Sequence, residues 1–162
     1  MKGLHLASRF FGALDPRGPS QADERWALDG LLPGEAALWV RMSGPDRRHA
    51  VDVARHVVRA LGPAADRPVL AAALLHDVGK VDAALGTIAR VPVTVLGLLG
   101  GRDRWRGRIG TYLRHDAVGA DLLRGAGSDA RTVTWAEEHH LPPSRWTLLP
   151  TVAAALKAAD GD

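Results

Sequence analysis

The segment VLAAALLHDVG, residues 69–79, carries apolar side chains on every side of a helix until it meets His76 and Asp77. A helix with no polar face has no place at a surface and has to be enclosed by other elements. The pattern predicts a helix from about Pro68 to Val78, stopped at Gly79, at the centre of the core. It also creates a charge problem, because an ionised Asp77 in those surroundings costs several kcal/mol unless it is paired or metal-bound. Two compensations are open. Lys80, three residues on, can pair with Asp77 at the helix end, or imidazoles and carboxylates from separate helices can gather around a cation with Asp77 among them.

The rest of the chain reads as helices able to enclose such a segment. Alanine and leucine supply most of the 46% hydrophobic content and aromatics only 5%, a balance that favours helix over strand. With 162 residues there is material for one core, and no repeat or alternating strand pattern is present. The fold class expected is all-α, a helical bundle with a short N-terminal helical extension. Residues 1–44 form a lead-in of short helices broken at Asp15-Pro16, Gly18-Pro19, Leu32-Pro33-Gly34 and Ser43-Gly44-Pro45, and residues 45–162 form the main domain. Ala50, Val53, Ala54, Val57, Val58 and Leu61 fall at helical spacing after Pro45, placing His49 in the first turns of an amphipathic helix. Val91 to Gly101 reads as a short buried helix and residues 101–108 as a basic loop. Further helices are expected over Ile109 to Arg124, over Asp129 to His140 with Ser128 as cap, and over Leu149 to Ala159.

The absence of cysteine excludes a disulfide framework, a thiolate metal site and a cysteine nucleophile. Any metal would sit on nitrogen and oxygen. The candidate ligands are His49, His76, Asp77, His115, His139, His140 and Asp160. A carboxylate at Asp160 opposes the macrodipole at the end of the last helix, a conflict that a cation removes; an exposed residue at a frayed chain end is the plainer account. His56 follows His49 by two turns, about 10 Å of rise, and is set aside with His5. The five tryptophans are dispersed and read as packing residues.

In order, His49, then His76-Asp77 within LLHDVGK, then Asp160 within LKAADGD resemble the H…HD…D pattern of the HD-domain superfamily of metal-dependent phosphohydrolases. The resemblance covers residues 45–162. It extends to two-metal branches, where His115 and Gly119 look like an H-x-x-x-G motif and His139-His140 like the paired histidines of HD-GYP proteins; hydrolases of dinucleoside polyphosphates carry a similar order with one histidine there. The resemblance implies that Asp77 bridges two divalent metals, that His49, His76 and Asp160 complete one, and that His115 and His139 hold the other, with His140 supporting His139 or serving as a further ligand. Iron, manganese, cobalt and zinc all accept such ligands. The chain continues as LPPSRW without Gly-Tyr-Pro, and residue 45 is proline where three-metal members have an acid, which weighs against a third metal and against cyclic di-GMP.

The expected activity is hydrolysis of a nucleotide-like phosphate ester, with Asp77 and Lys80 closest to the chemistry. Arg102, Arg104, Arg106 and Arg108 are secondary candidates for phosphate, with surface charge as the alternative. A di-iron oxygenase and a metal-binding signalling module without catalysis are the competing readings. The net charge of +3 suits anionic ligands without selecting nucleic acid. Val91 to Gly101 is about half of the roughly 20 residues that a membrane-spanning helix needs, and the N-terminus lacks the pattern of a secretory leader, so a soluble, cytoplasmic protein is expected.

Overall fold

In a computed structural model, which describes residues 16–83 and 115–161, the chain is all-helical, with no strand among the described residues. Helices α1 (Gln21–Asp29) and α2 (Pro33–Trp39) come from the lead-in. They are followed by α3 (Gly44–Leu61), α4 (Arg67–Leu75), α5 (described over Lys80–Ala83), α6 (His115–Gly125), α7 (Ala130–Glu138) and α8 (Pro150–Asp160). Among the described residues no helix is long and apolar enough to cross a membrane.

Helix α4 packs against α2, α3 and α7, while α8 covers α3 and α6 covers α7. This enclosure accounts for its uniform sequence: Val69 and every residue from Ala71 to Leu75 are buried. Helix α3 presents Ala50, Val51, Val53, Ala54 and Val57 inward. Its start is fixed by Ser43, whose Oγ accepts from Asp46 N at 3.3 Å, with Pro45 in the first turn where a missing N–H costs nothing.

The lead-in helices share this core, to which Ala27, Leu38, Trp39 and Met42 all belong. Trp39 Nε1 and Arg47 Nη1 both donate to Glu24 Oε1, at 2.9 and 2.6 Å. Glu35, fully buried, accepts from Leu32 N at 2.8 Å and from Arg67 Nη1 at 3.1 Å, joining the start of α2 to that of α4.

Two helices differ from expectation at their boundaries. Helix α4 ends at Leu75, with His76 as its C-cap. Residues 76–79 form tight turns in which Val78 N, Lys80 N and Val81 N each reach back three residues, to the carbonyls of Leu75, Asp77 and Val78. A sequence apolar on all sides has no phase whose loss could mark the end of its helix. Helix α7 begins at Ala130, and its cap is Asp129, accepting from Arg131 N at 2.9 Å; Ser128 Oγ makes no hydrogen bond. The same helix stops at Glu138, so His139 and His140 lie just beyond it. The expected helix at 91–101 and the basic loop with Arg102, Arg104, Arg106 and Arg108 lie outside the described residues.

Candidate metal centre

Apart from His115, each candidate ligand comes from near the end of an element or from a turn beside it. His49 is on the first turns of α3, His76 and Asp77 follow the last residue of α4, His115 is the first described residue of α6, His139 and His140 follow α7, and Asp160 closes α8. A bundle brings such ends together at one end of its core without distorting any helix. His76, Asp77, His115, His139 and Asp160 are all buried, and His49 is partly so.

The approach of α6 to the 76–79 turn is set by a pair of glycines. A Cβ on Gly79 would stand 1.9 Å from the His115 carbonyl oxygen and 2.6 Å from Gly119 N, so the two backbones touch where any side chain would separate them. Close backbone approach is a role that glycine alone can fill. The contact places the His115 ring beside Asp77, with Nε2 3.3 Å from Oδ1.

The two oxygens of Asp77 face different sets of imidazoles. Oδ2 lies 3.6 Å from His76 Nε2 and pairs with Lys80 Nζ; Oδ1 faces His115 and also His139 Nε2, at 3.9 Å. Asp160 Oδ1 accepts from His49 Nε2 at 3.0 Å and stands 3.5 Å from His76 Nε2. His140 Nε2 is 3.0 Å from His115 Nε2. One potential ligand atom from each of His49, His76 and Asp77 lies within 4.8 Å of the others, and the same holds for Asp77, His115, His139 and His140. Asp77 belongs to both groups. His56 points away, its Nδ1–H donating to Asp52 O at 2.7 Å.

Proton positions follow from the backbone. His76 Nδ1 is 2.9 Å from Ala73 O, and His139 Nδ1 is 3.0 Å from Ala136 O and 3.3 Å from Trp135 O. Carbonyl oxygens only accept, so each Nδ1 carries a proton and each Nε2 is left to face the carboxylates. Both Nε2 atoms are buried without a hydrogen-bond partner. A metal-ligating histidine typically donates its other ring N–H to a carbonyl or carboxylate in this way. The two groups can therefore hold a metal ion, each with a carboxylate for charge and imidazole nitrogens for coordination.

The electrostatics differ across Asp77. Burial opposes charge on His76, but the carboxylates of Asp77 and Asp160 outweigh it and push the imidazole up to about 9. Burial also opposes ionisation of Asp77 and Asp160. Lys80, with His76 and His115, nevertheless holds Asp77 well below the usual carboxylate range, and the imidazoles of His49 and His76 hold Asp160 below it. On the far side burial dominates, lowering His139 to about 2 with help from His140 and His76, and His140 to about 4 with help from His115.

Some contributors carry no signal in the sequence. The carbonyls of Ala73, Trp135 and Ala136 orient ligands without any side-chain signature. Glu138, buried, accepts from Thr147 N at 2.8 Å and from Thr147 Oγ1 at 2.7 Å, closing the loop that follows the two histidines; only its place beside them hinted at it. Trp135 is buried and Trp146 packs edge-on against it, with ring centroids 5.8 Å apart, in line with the packing role expected of the tryptophans. Comparison of the chain with family models, with curated proteins and with solved structures finds no match.

Proposed function

We propose that the chain is a metal-dependent phosphohydrolase of the HD type, acting on a nucleotide-like phosphate ester. The observation that carries this reading is the division of Asp77: one oxygen toward His76, the other toward His115 and His139, with two buried imidazole nitrogens that no hydrogen bond satisfies. The order of these residues, LLHDVGK between His49 and His115, supplies the resemblance from which the phosphate chemistry is drawn.

In this reading His49, His76 and Asp160 would hold one cation together with Asp77, and His115 and His139, joined by His140, would hold a second on its other side. Bound there, one or two divalent cations supply Lewis acidity, lowering the pKa of water and drawing charge from phosphoryl oxygens. The chain's own residues orient and balance charge. Asp77 sets the spacing of the two sides, Ala73 O and Ala136 O fix the rings of His76 and His139, and Lys80, beside Asp77, meets the negative charge of the phosphate.

The test is protein purified without oxygen, assayed for metal, and offered nucleotides, dinucleoside polyphosphates, cyclic dinucleotides and a generic phosphodiester beside Asp77→Ala. Stoichiometric metal and hydrolysis of at least one substrate are expected. Asp77→Ala should lose both, by more than the about 10–100-fold that follows loss of a ligand's outer partner. A parent without metal, or equal hydrolysis by the variant, would overturn the proposal. Turnover that requires dioxygen would favour the oxygenase reading, and metal without turnover a signalling module.

A further inference from the structure

Lys157 lies in the last turn of α8, three residues before Asp160, and its Nζ donates to the carbonyl of His139 at 2.9 Å. That carbonyl belongs to the peptide joining His139 to His140. It lies just past the end of α7, where the last carbonyls lack helical donors and the helix dipole is negative, so an ammonium there is favourable on both counts. Rotation of this peptide plane would swing the two imidazoles relative to each other. The same turn of α8 thus reaches both sides of Asp77: Asp160 contacts His49 and His76, and Lys157 fixes the link between His139 and His140.

We infer that Lys157 is a positioning residue for the His115, His139 and His140 side of the centre, pinning the peptide between its two consecutive histidines so that both rings face the cation bound there. The inference rests on the metal-centre reading given above. Its sign separates it from simple electrostatics, since deleting a nearby ammonium would on charge alone raise the affinity for a cation. Loss of positioning lowers it.

The experiment titrates Zn²⁺ against a chromogenic chelator in the parent, Lys157→Met, Lys157→Gln and Lys157→Arg, with total metal measured by mass spectrometry and urea midpoints taken in chelator. The parent should bind two equivalents. Lys157→Met should keep one at parental affinity and weaken the other about tenfold or more, as outer partners of metal ligands do. Lys157→Arg, which can still donate to the carbonyl, should restore it. Lys157→Gln, less disruptive to folding, should weaken the same equivalent and serves alone if Lys157→Met does not fold. Unchanged or tighter binding of both equivalents in the Met and Gln variants, or equal weakening of both, would overturn the inference alone. A parent binding one equivalent would also overturn it, and a parent binding none would overturn the metal-centre reading with it.

Discussion

On one side of Asp77, His76 shares its surroundings with two carboxylates; on the other, His139 and His140 share theirs with a third imidazole and one carboxylate oxygen. The burial of His76 and His139 is alike, yet the first imidazole is pushed up to about 9 and the second down to about 2. Burial alone therefore does not decide the state of a histidine here. The number of carboxylates within reach does. The His76 side favours positive charge, so a cation entering it displaces a proton. Burial keeps His139 and His140 neutral, and His139, whose Nδ1 carries its proton, offers the lone pair of Nε2 to a cation without giving a proton up.

The largest effect expected separates the two sides without altering a ligand. Gly79→Ala would drive a methyl into the His115 carbonyl and should cost about 3 kcal/mol, the upper part of the range for overpacking, while moving His115 away from Asp77. Gly119→Ala has 3.1 Å to Gly79 N and gains helix propensity, so its net cost should be at most about 1 kcal/mol. Urea midpoints of both variants measure the contrast, and equal midpoints would show that the glycine contact does not set the approach of α6.

Next in size are substitutions confined to one side. Asp160→Asn should weaken one metal equivalent about 100-fold and His140→Gln the other about tenfold, judged against the range for partners of metal ligands. Chelator competition measures each. If both variants weaken the same equivalent, the two sides are not separate.

The smallest effect is the pH dependence of the chelator-treated protein. His76, raised from 6.5 to about 9, contributes stability that is fully present below about pH 6.5 and lost as pH rises through about 9, on the order of 1–3 kcal/mol. His140, lowered to about 4, works in the other direction. Below pH 6.5 the unfolded chain takes up a proton that the folded one refuses until about pH 4, so stability falls as pH falls, by less than for His76 because His140, although its ring is packed against His115, keeps part of its surface exposed. His76→Gln should flatten the alkaline limb of urea midpoint against pH, and His140→Gln should make the acid limb shallower, the rest of that limb belonging to His139, lowered to about 2. Identical profiles in the two variants would contradict the assignment.

Much of the centre was legible in the sequence. A carboxylate in an all-apolar helix demands a partner: of the two compensations expected of Asp77, the Lys80 pair is present on one oxygen, and imidazoles that could hold a cation face both. The start of α3 could be read from Ser43 and Pro45, whose effects are local. What could not be read depends on contacts between distant segments. The end of α4 at Leu75 has no periodic signal, and Ser128 and Asp129 are both acceptable caps until the chain chooses one. Gly79 reads as a helix stop in isolation, whereas its structural role is contact with a backbone some forty residues away. Lys157 in sequence is one more basic residue on a helix, because its acceptor is a carbonyl.

The bonds from His76 to Ala73 O and from His139 to Ala136 O have a consequence for how this centre tolerates change. Their acceptors are main-chain atoms, which every amino acid supplies. No side-chain replacement at position 73 or 136, proline aside, deletes them, and both positions are already alanine, so a survey by alanine substitution would pass over two of the main supports of the site. Drift in the surrounding residues can repack α4 and α7 while the carbonyls stay where the helices hold them. The orientation of the rings is inherited with the helix itself, and only a change that breaks the helix, such as an inserted proline or a shift in its register, can take it away.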